Sequence, residues 1–326
     1  MTATMSCLWL ENGVIEVRRV ARPEPPPGEA LIRVRLAGVC ATDLELMRGY
    51  YPYSGIPGHE FVGQVAAAPG HPEWEGRRVV GEINAPCLAC PTCRAGRPNH
   101  CPRRSVLGIV ERPGVFAEYT TLPVAKLHRL PAELDDERAV FTEPLAAACR
   151  IPEQVALHPG QRVAVLGAGR LGQLIARVLA QHPVELRVLA RHAAQRRLLA
   201  AAGIDCVAAG ELEPGWADVA IEATGSPDGF AQARELLRPE GTLVLKSTYA
   251  GRLTADFSAL VVDELCLIGS RCGPFPPALA MLADGRVDPR PLIAARHRLD
   301  DGPAALEAAG RPGVLKVLLQ MSPEDA

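Results

Sequence analysis

The sequence predicts an α/β protein of two domains, one rich in β-strands and one built on a doubly wound parallel sheet. The chain has 326 residues, and one hydrophobic core rarely extends beyond about 250 residues. Short β-rich runs separated by glycine and proline fill the first part of the chain, whereas apolar strands and helices alternate after it. Such alternation is typical of a parallel sheet that carries helices on both faces.

The composition is that of an ordinary globular protein, with 48% hydrophobic and 22% charged residues. The net charge of -2 excludes a global basic field, so we expect no nucleic-acid partner. No run of about 20 apolar residues is present to cross a membrane, and the N-terminal residues lack the pattern of a secretion signal. We therefore expect a cytoplasmic protein whose ten cysteines serve as thiols and metal ligands instead of forming disulfides.

The β-rich domain is predicted to contain the strands ALIRVRLAGVC and EFVGQVAAAPG, followed by a helical segment that begins near Asp135. The parallel sheet is predicted from five apolar strands, of which LCLIGS is the last. Beyond about Cys272 we expect one helix, one strand and loops, which are too few for a core of their own and pack back on the first domain. The predicted domains are therefore residues 1–150 with 272–326, and residues 151–271.

A glycine-rich turn, GAGRLG, follows an apolar strand and precedes an amphipathic helix. In that setting Gly167 permits the tight turn, Gly169 lets the backbone approach a pyrophosphate, and Gly172 allows the helix to pack closely on the strand. The helix N-terminus adds N–H donors for the phosphates. The alternative is a structural turn without a ligand. The residues assigned to a dinucleotide here are Gly167, Ala168, Gly169, Arg170, Leu171 and Gly172.

The end of the next strand indicates which dinucleotide binds. A carboxylate usually lies there to bind the ribose 2′-hydroxyl of NAD, but Glu185 stands at the start of this strand, and Ala190 and Arg191 follow its end. A small residue beside an arginine suits a 2′-phosphate, to which Arg196 or Arg197 could add a further bond. The sequence therefore favours NADP over NAD. The alternative role for Arg191 is a solvated surface charge.

Four cysteines lie close together in the motif C-x2-C-x2-C-x7-C, with turn-forming proline and glycine between them. Four thiolates at such spacing close a tetrahedral structural zinc site that has no open position. An iron–sulfur cluster also takes four cysteines, but its usual spacings differ from this one. The sequence favours zinc, with Cys87, Cys90, Cys93 and Cys101 as its ligands.

A second set of possible metal ligands is dispersed along the chain: Cys40 in AGVCATD, His59 and Glu60 in PGHEFVG, and Glu143 in FTEPLAAA. A thiolate, an imidazole and a carboxylate leave zinc one open position, as in catalytic sites. Spacing alone leaves open that His59 is structural and that Cys40 is a buried, inert thiol.

With these motifs in this order, the chain resembles the zinc-containing medium-chain dehydrogenase family, which includes alcohol, sorbitol and threonine dehydrogenases. The resemblance covers essentially the whole chain, through GVCATDLELMRG, GHEFVGQV, the cysteine motif, EPLAAA, VAVLGAGRLGQ, IEATG and VLKVLL. It implies a GroES-like catalytic domain and a Rossmann domain, with the active site in the cleft between them. It also implies a homodimer or homotetramer, often joined through the edges of the Rossmann sheets, for which LCLIGS is the candidate edge.

The resemblance assigns metal ligands residue by residue. Cys40 and His59 match ligands of a catalytic zinc, and the four clustered cysteines match those of a structural zinc. Glu60 matches a glutamate that binds the catalytic zinc directly or in exchange with water. Glu143 matches the glutamate ligand of the sorbitol-dehydrogenase-like branch, where classical alcohol dehydrogenases have a cysteine.

The resemblance also implies a proton path and further cofactor contacts. Thr42 matches the hydroxyl that relays the substrate proton. Glu45 stands where many members carry an outer relay histidine, so the proton leaves either through Glu45 or directly to water. Thr224 in IEATG is assigned to the cofactor, and Arg271 to the cofactor or to a polar substrate.

The implied activity is zinc-dependent hydride transfer between a primary, secondary or polyol alcohol and NAD(P), giving an aldehyde or ketone. The alternatives are a zinc-independent quinone or enoyl reductase of the same superfamily and a non-catalytic cofactor-binding protein. Candidate pocket residues are Tyr51, Tyr53, Phe116 and residues 270–275, although aromatic side chains are more often simply packed. The substrate and the direction of the reaction stay open.

Overall fold

The computed structural model describes residues 3–49, 51–208, 210–248 and 253–321. The chain forms two compact units, which we call unit 1 (Met1–Glu143 with Phe275–Ala326) and unit 2 (Pro144–Pro274). Over the described residues, no helix is both long and apolar enough to cross a membrane.

Unit 1 begins with short strands and three short helices. In chain order they are β1 (Thr4–Glu11), β2 (Val14–Ala21), β3 (Glu29–Gly38), α1 (Ala41–Met47), β4 (Glu60–Ala67), β5 (Arg78–Gly81), β6 (Asn84–Ala85), α2 (Pro91–Arg94), β7 (Ser105–Leu107), β8 (Glu111–Arg112), β9 (Tyr119–Pro123), β10 (Leu127–Arg129) and α3 (Asp136–Ala139). The predicted strands around ALIRVR and EFVGQV correspond to β3 and β4.

Strands and helices then alternate through unit 2 before the chain returns to unit 1. The elements of the alternating part are α4 (Thr142–Gln154), β11 (Arg162–Leu166), α5 (Arg170–Leu179), β12 (Glu185–Leu189), α6 (Ala193–Ala200), β13 (Cys206–Val207), β14 (Ala217–Glu222), α7 (Pro227–Leu236), β15 (Leu237–Leu245), α8 (Phe257–Val262) and β16 (Cys266–Gly269). The returning part consists of α9 (Phe275–Ala283), β17 (Ile293–Arg298), α10 (Gly302–Gly310) and β18 (Lys316–Gln320).

The limits of the units differ from the domain limits predicted from the sequence. The sequence placed the first limit between residues 150 and 151, which is inside α4, whereas unit 2 begins at Pro144. At its other end unit 2 extends to Pro274 instead of residue 271. Helix α4 contains Pro144 and Pro152 and continues through both of them. No break in local structure therefore marks the limit between the units in the sequence.

The C-terminal residues pack on unit 1 as predicted, but they contain more structure than predicted. The sequence indicated one helix and one strand there, and the structure adds β17 and α10. Along β17, half-buried positions alternate with exposed ones, and none is fully buried. Helix α10 consists mainly of glycine and alanine and begins with Gly-Pro. Neither segment carries the strong apolar period on which a prediction from sequence depends.

The main sheet of unit 1 has the strand order β10-β5-β4-β3-β18-β17, with β9 also paired to β3. Strand β3 lies at its centre, and Ala30, Ile32 and Val34 on one face of β3 are fully or almost fully buried. Antiparallel pairing places Gly38, at the end of β3, opposite both Glu60 of β4 and Leu318 of β18. The sheet register therefore brings the start of β4 and the start of β18 to the same point.

A partly buried charged cluster follows β5 in unit 1. The Lys126 ammonium donates a hydrogen bond to the Glu82 carboxylate at 2.8 Å, and His128 Nε2 lies 3.1 Å from the other carboxylate oxygen. His128 also stacks on Phe275, with ring centroids 5.1 Å apart. These contacts hold the pKa of Glu82 below its ordinary value of 4.5 although burial alone raises it.

The sheet of unit 2 is parallel, with the strand order β13-β12-β11-β14-β15-β16. Val163, Ala164, Val165 and Leu166 of β11 are at most 1% exposed, as expected for a central strand covered on both faces. The strand order reverses between β11 and β14, and in such sheets ligands bind outside the carboxyl ends of the strands at that point. The doubly wound sheet predicted from the sequence is confirmed.

Candidate functional site

The four clustered cysteines lie in unit 1 with their sulfur atoms close together. Sγ–Sγ distances are 3.5 Å for Cys90–Cys93, 3.8 Å for Cys90–Cys101 and 3.5 Å for Cys87–Cys101. Tetrahedral zinc with bonds of about 2.3 Å requires sulfur atoms about 3.8 Å apart. The four thiols therefore fit a structural zinc ion without rearrangement.

Local hydrogen bonds favour the thiolate form at Cys87, whereas burial raises the pKa of the Cys93 thiol in the absence of a metal ion. The backbone N–H of Ala89 and the guanidinium of Arg103 lower the pKa of the Cys87 thiol to about 6. Arg103 Nη2 donates to Cys87 Sγ at 3.2 Å. Arg94, at the end of α2, holds the turn by donating to the Ala89 carbonyl from two nitrogens, at 2.9 and 2.6 Å. The cluster lies next to Arg94 and Arg103, and it has the donor set of a four-cysteine zinc site.

Cys40, His59 and Glu60 form a second group of possible metal ligands, with one ligand atom of each within 4.8 Å of the others. Cys40 is the N-cap of α1, and His59 and Glu60 stand at the start of β4. Gly58 has φ +93°, and a Cβ there would lie 2.4 Å from the ring of Phe116. Glycine at that position therefore lets the chain turn tightly into the site.

Asp43 is the part of this group that the sequence analysis missed. Its carboxylate is fully buried: Oδ2 accepts the backbone N–H of Cys40 at 2.8 Å, and Oδ1 lies 3.4 Å from His59 Nδ1. Both atoms are buried and have no hydrogen-bond partner among the described residues, so the contact between them is electrostatic. A carboxylate at Nδ1 fixes the imidazole so that Nε2 is the free ligand atom, as in many zinc sites. The side chains present therefore fit a zinc ion.

The same contact influences the charge of His59. Burial opposes protonation of the imidazole, but the nearby charges of Asp43 and Cys40 outweigh that effect and hold the pKa well above its ordinary value of 6.5.

A signal for Asp43 did exist in the sequence. An acidic residue three positions after the residue that caps a helix commonly bonds back to the cap, and Asp43 stands three positions after Cys40.

Glu60 is held by a second residue that the sequence analysis did not assign. Lys316 forms a buried ion pair with Glu60 Oε2 and also donates to the Val39 carbonyl at 3.3 Å. Glu60 is 1% exposed and Lys316 is 3% exposed. A Cβ on Gly38 would lie 2.5 Å from Glu60 Oε2, so glycine is needed at the point where β3, β4 and β18 meet.

The other residues predicted for this site, Glu143, Thr42 and Glu45, are not part of the group formed by Cys40, His59 and Glu60. Glu143, the second residue of α4, is half-buried and does not belong to the group with Cys40 and His59. Thr42 Oγ1 lies 3.8 Å from Cys40 Sγ, beside the group. Glu45, one turn further along α1, binds the guanidinium of Arg48 at 2.5 Å.

The three aromatic pocket candidates lie in unit 1 and differ in exposure. The hydroxyl of Tyr53 donates to the Ile56 carbonyl at 2.6 Å, and burial raises the pKa of that hydroxyl. Phe116 is fully buried against Gly58. Tyr51 is the candidate with an exposed side chain, at 47%.

In unit 2 the glycine turn has the conformation that its spacing predicts. Gly167 has φ +97°, and a Cβ there would lie 2.8 Å from the Ala223 carbonyl oxygen. A Cβ on Gly172 would lie 1.9 Å from the Gly167 carbonyl oxygen, so only glycine allows α5 to pack this closely. Gly169 is the N-cap of α5, and the space beside its Cα is open. The turn combines an open backbone with a helix N-terminus, a combination that binds phosphate groups.

The end of β12 carries the residues from which NADP was predicted. Ala190 is 2% exposed, and Arg191 is exposed. Arg196 does not reach outward, since its guanidinium donates to the carbonyls of Ala190 at 3.0 Å and Arg191 at 3.3 Å. Arg196 therefore stabilises the backbone at Ala190 and Arg191.

The other cofactor candidates lie at the carboxyl ends of β14 and β16. The Thr224 hydroxyl donates to the buried Glu222 carboxylate at 2.6 Å. Lys246 donates to the Arg271 carbonyl at 3.0 Å, to Ser270 Oγ at 3.1 Å and to the Ala147 carbonyl at 2.7 Å. Like Lys126 and Lys316, Lys246 is at most 8% exposed, so every lysine of the chain is buried.

Comparisons with known proteins show which family the chain is similar to. Residues 26–132 match the alcohol dehydrogenase GroES-like domain family. The sorbitol dehydrogenase of Halalkalibacterium halodurans is 30% identical over 91% of this chain and 94% of its own. The structure of a zinc-binding dehydrogenase of Sinorhizobium meliloti 1021 bound to NADP superposes with a TM-score of 0.89, at 30% identity, covering 98% of this chain and 99% of the other.

A third similar structure carries the other dinucleotide. An alcohol dehydrogenase of Escherichia coli CFT073 complexed with NADH has a TM-score of 0.89 at 25% identity, covering 97% of this chain and 99% of the other. The expected fold class, a GroES-like domain with a Rossmann domain, is confirmed by the family match and by these structures. Both dinucleotides thus occur among proteins similar to this chain.

Proposed function

The chain belongs to the zinc-containing medium-chain dehydrogenase family, and we propose that Cys40 and His59 hold a catalytic zinc ion for hydride transfer between an alcohol and NADP. It is an NAD(P)-dependent oxidoreductase that interconverts an alcohol and an aldehyde or ketone. The observation that carries the proposal is the grouping of Cys40, His59 and Glu60, with His59 oriented by the buried Asp43.

Two carboxylates are available to complete the catalytic site. Glu60 is the nearer one in the structure, where it is bound to Lys316. Glu143 matches the glutamate ligand of the sorbitol-dehydrogenase-like branch. We propose that Cys40 and His59 are the constant ligands and that one of these two carboxylates joins them. A bound zinc ion would supply Lewis acidity that lowers the pKa of the substrate hydroxyl.

The chain's own residues orient the substrate and move its proton. Thr42, 3.8 Å from Cys40 Sγ at the N-terminus of α1, is placed to accept the substrate proton through its hydroxyl. Glu45 lies one turn away but binds Arg48. A proton leaving Thr42 passes to water, or to Glu45 after that ion pair opens. The nicotinamide supplies the hydride chemistry, and the protein supplies position and electrostatics.

We propose NADP as the preferred cofactor, with the pyrophosphate at the glycine turn. A buried Ala190 leaves room for a 2′-phosphate, and the exposed Arg191 can form charge-assisted hydrogen bonds to it. Within unit 2, the contacts that we assign to the dinucleotide also include Thr224 and Arg271. The relative with bound NADP supports the preference for NADP. Because another relative binds NADH, the test compares the affinities of this chain for the two dinucleotides.

The substrate that we propose is a small hydroxylated molecule, namely a primary or secondary alcohol or a polyol. Relatives of this chain are named sorbitol dehydrogenase, erythritol/L-threitol dehydrogenase and L-threonine 3-dehydrogenase. Each substrate in these names carries a hydroxyl group next to further polar groups. We propose that the four-cysteine cluster holds a structural zinc, and we propose a cytoplasmic location because thiolate metal sites persist best in a reducing compartment.

For oligomer formation we propose pairing through β16, in a homodimer or homotetramer. β16 is the outer strand of the unit 2 sheet over the described residues, and its Leu267 is 41% exposed. In the preceding helix α8, Phe257, Val261 and Val262 are more than 70% exposed. Contiguous apolar exposure beside an open sheet edge favours association. Sedimentation showing only monomers would contradict this proposal.

Zinc content tests the metal part of the proposed function. We expect two zinc ions per chain by elemental analysis, one in the Cys40→Ser variant and one in the Cys93→Ser variant. Cys40→Ser should lose NADP-linked turnover of sorbitol and threonine while retaining cofactor binding. The control is Cys206→Ser, on β13, which should keep both ions and full activity. A wild-type chain with a single zinc, or an active Cys40→Ser variant, would instead favour the zinc-independent reductase.

A further inference from the structure

Two polar side chains are buried inside the helix that follows the glycine turn. In α5 every residue from Gly172 to Leu179 is buried, which is a setting for apolar side chains. Gln173 is nevertheless 0% exposed and Arg177 is 6% exposed. Burying an amide and a guanidinium costs free energy unless both are hydrogen-bonded. Their bonding partners therefore indicate what these side chains do.

Gln173 links the glycine turn to the next helix. Its Nε2 donates to the carbonyl of Ala168, the second residue of the GAGRLG turn, at 3.3 Å. The same nitrogen donates to the carbonyl of Gln195, in the first turn of α6, at 3.1 Å. One buried amide thus spans from the phosphate-binding turn to the start of α6.

Arg177 holds this amide in place and makes a second link. Its Nη1 donates to Gln173 Oε1 at 2.7 Å and to the Gln173 carbonyl at 2.9 Å. Its Nη2 donates to the Leu198 carbonyl, one turn further along α6, at 3.1 Å. Because Gln173 Oε1 accepts from Arg177, the orientation of the amide is fixed, and both of its hydrogens point to backbone carbonyls.

From α6 the network continues to the end of β12. Arg196 follows Gln195 in the chain and donates to the carbonyls of Ala190 and Arg191, at 3.0 and 3.3 Å. Hydrogen bonds, linked by the backbone between Gln195 and Arg196, therefore join Ala168, where a pyrophosphate would bind, to the backbone of Arg191, where a 2′-phosphate would bind. The whole series lies within unit 2.

We propose that Gln173 and Arg177 are positioning residues for cofactor specificity, which hold the 2′-phosphate subsite in register with the pyrophosphate subsite. This inference rests on the proposed use of NADP. The covalent structure of the dinucleotide fixes the distance between its pyrophosphate and its 2′ group, so the two subsites must match that distance. NADP depends on the match more than NAD does, because only NADP uses the geometrically demanding contact with Arg191.

The first test is the isosteric variant Gln173→Glu. Its carboxylate keeps the partner of Arg177 but removes both N–H donors to the Ala168 and Gln195 carbonyls. We expect the dissociation constant of NADP to rise about tenfold, equivalent to one weakened charge-assisted hydrogen bond, while that of NAD changes less than about twofold. The matched control is Gln181→Glu, at an exposed glutamine beyond the end of α5, which should leave both constants unchanged.

A second variant separates positioning from stability. Gln173→Leu combined with Arg177→Met replaces both buried polar groups by apolar ones, a change that is often neutral for folding. We expect this double variant to keep its thermal midpoint within a few degrees and to show the same selective loss of NADP affinity, with an unchanged kcat at saturating NADP. Equal weakening of NADP and NAD, or no change in their ratio in a folded variant, would overturn the inference. A wild-type chain that prefers NAD would overturn the proposed cofactor instead, so the two failures are distinguishable.

Discussion

The carboxylate of Asp43 and the imidazole of His59 face each other across 3.4 Å in a region closed to solvent. The same carboxylate accepts the backbone N–H of Cys40, so one side chain contacts two proposed metal ligands that are distant in the sequence. Asp43 belongs to α1 and His59 precedes β4. The interaction therefore forms only when α1 and the start of β4 are both folded.

Asp43→Asn should weaken zinc binding at the Cys40 site. The amide oxygen can still accept from Cys40 N–H, but the amide nitrogen cannot accept from His59 Nδ1–H. We expect zinc affinity at this site to fall about 10- to 100-fold, the usual effect of losing an outer hydrogen bond to a histidine ligand. Competition with a zinc-binding dye measures it. Asp228→Asn, at an exposed position in α7, is the matched control, and equal affinities in the two variants would contradict the role of Asp43.

Lys316→Met should destabilise unit 1. It leaves the carboxylate of Glu60 buried without its cation, and breaking a buried ion pair in this way costs about 3 kcal/mol or more. Urea unfolding measures the loss. Arg311→Met removes the exposed ion pair with Glu307 and should cost at most about 1 kcal/mol. Equal unfolding free energies for the two variants would mean that the buried pair contributes no more than a surface pair.

Glu82→Gln should destabilise the protein at neutral pH but not in acid. Glu82 has a lowered pKa in the folded state, so its ionised form contributes stability above the ordinary value of 4.5. That contribution is lost as the pH falls from 4.5 through the folded-state pKa. The difference in unfolding free energy between wild type and variant should therefore shrink between pH 7 and pH 3. A difference that stays constant over this range would contradict the assignment.

Arg191→Ala should reverse the preference between dinucleotides. Loss of a charge-assisted contact to a 2′-phosphate raises the dissociation constant of NADP about 10- to 100-fold, whereas NAD lacks that phosphate. Fluorescence titration with NADPH and NADH measures both affinities. Arg298→Ala, at an exposed position at the end of β17, provides a control of equal charge. If both variants bind NADPH like the wild type, Arg191 is a solvated surface charge.

Local patterns explain what could be predicted from the sequence. The glycine turn depends on three residues within six positions of a strand end, and the conformations of Gly167 and Gly172 match the prediction. The cysteine cluster is similarly local, with sulfur atoms 3.5 to 3.8 Å apart. In both cases spacing along the chain nearly determines spacing in the fold, so no knowledge of tertiary structure was needed.

Contacts set by sheet register could not be predicted in this way. Lys316 reaches Glu60 because β18 and β4 both pair with β3 at Gly38, across 256 positions of sequence. Nothing near Lys316 in the sequence indicates an ionic partner. Strand β17 was missed for a different reason: its half-buried and exposed positions alternate, but Ile293 is its one large apolar residue, which is too few to produce a clear period.

The burial of all three lysines has a practical consequence for chemical modification. Lys126, Lys246 and Lys316 are at most 8% exposed, and each ammonium is hydrogen-bonded. The folded surface carries its positive charge on arginine, so it offers no accessible ε-amine to acylating reagents or amine-directed cross-linkers. Acylation of Lys126 or Lys316 would therefore report local opening of unit 1, and acylation of Lys246 would report opening near the end of β16 in unit 2. The three residues can thus serve as probes of local unfolding.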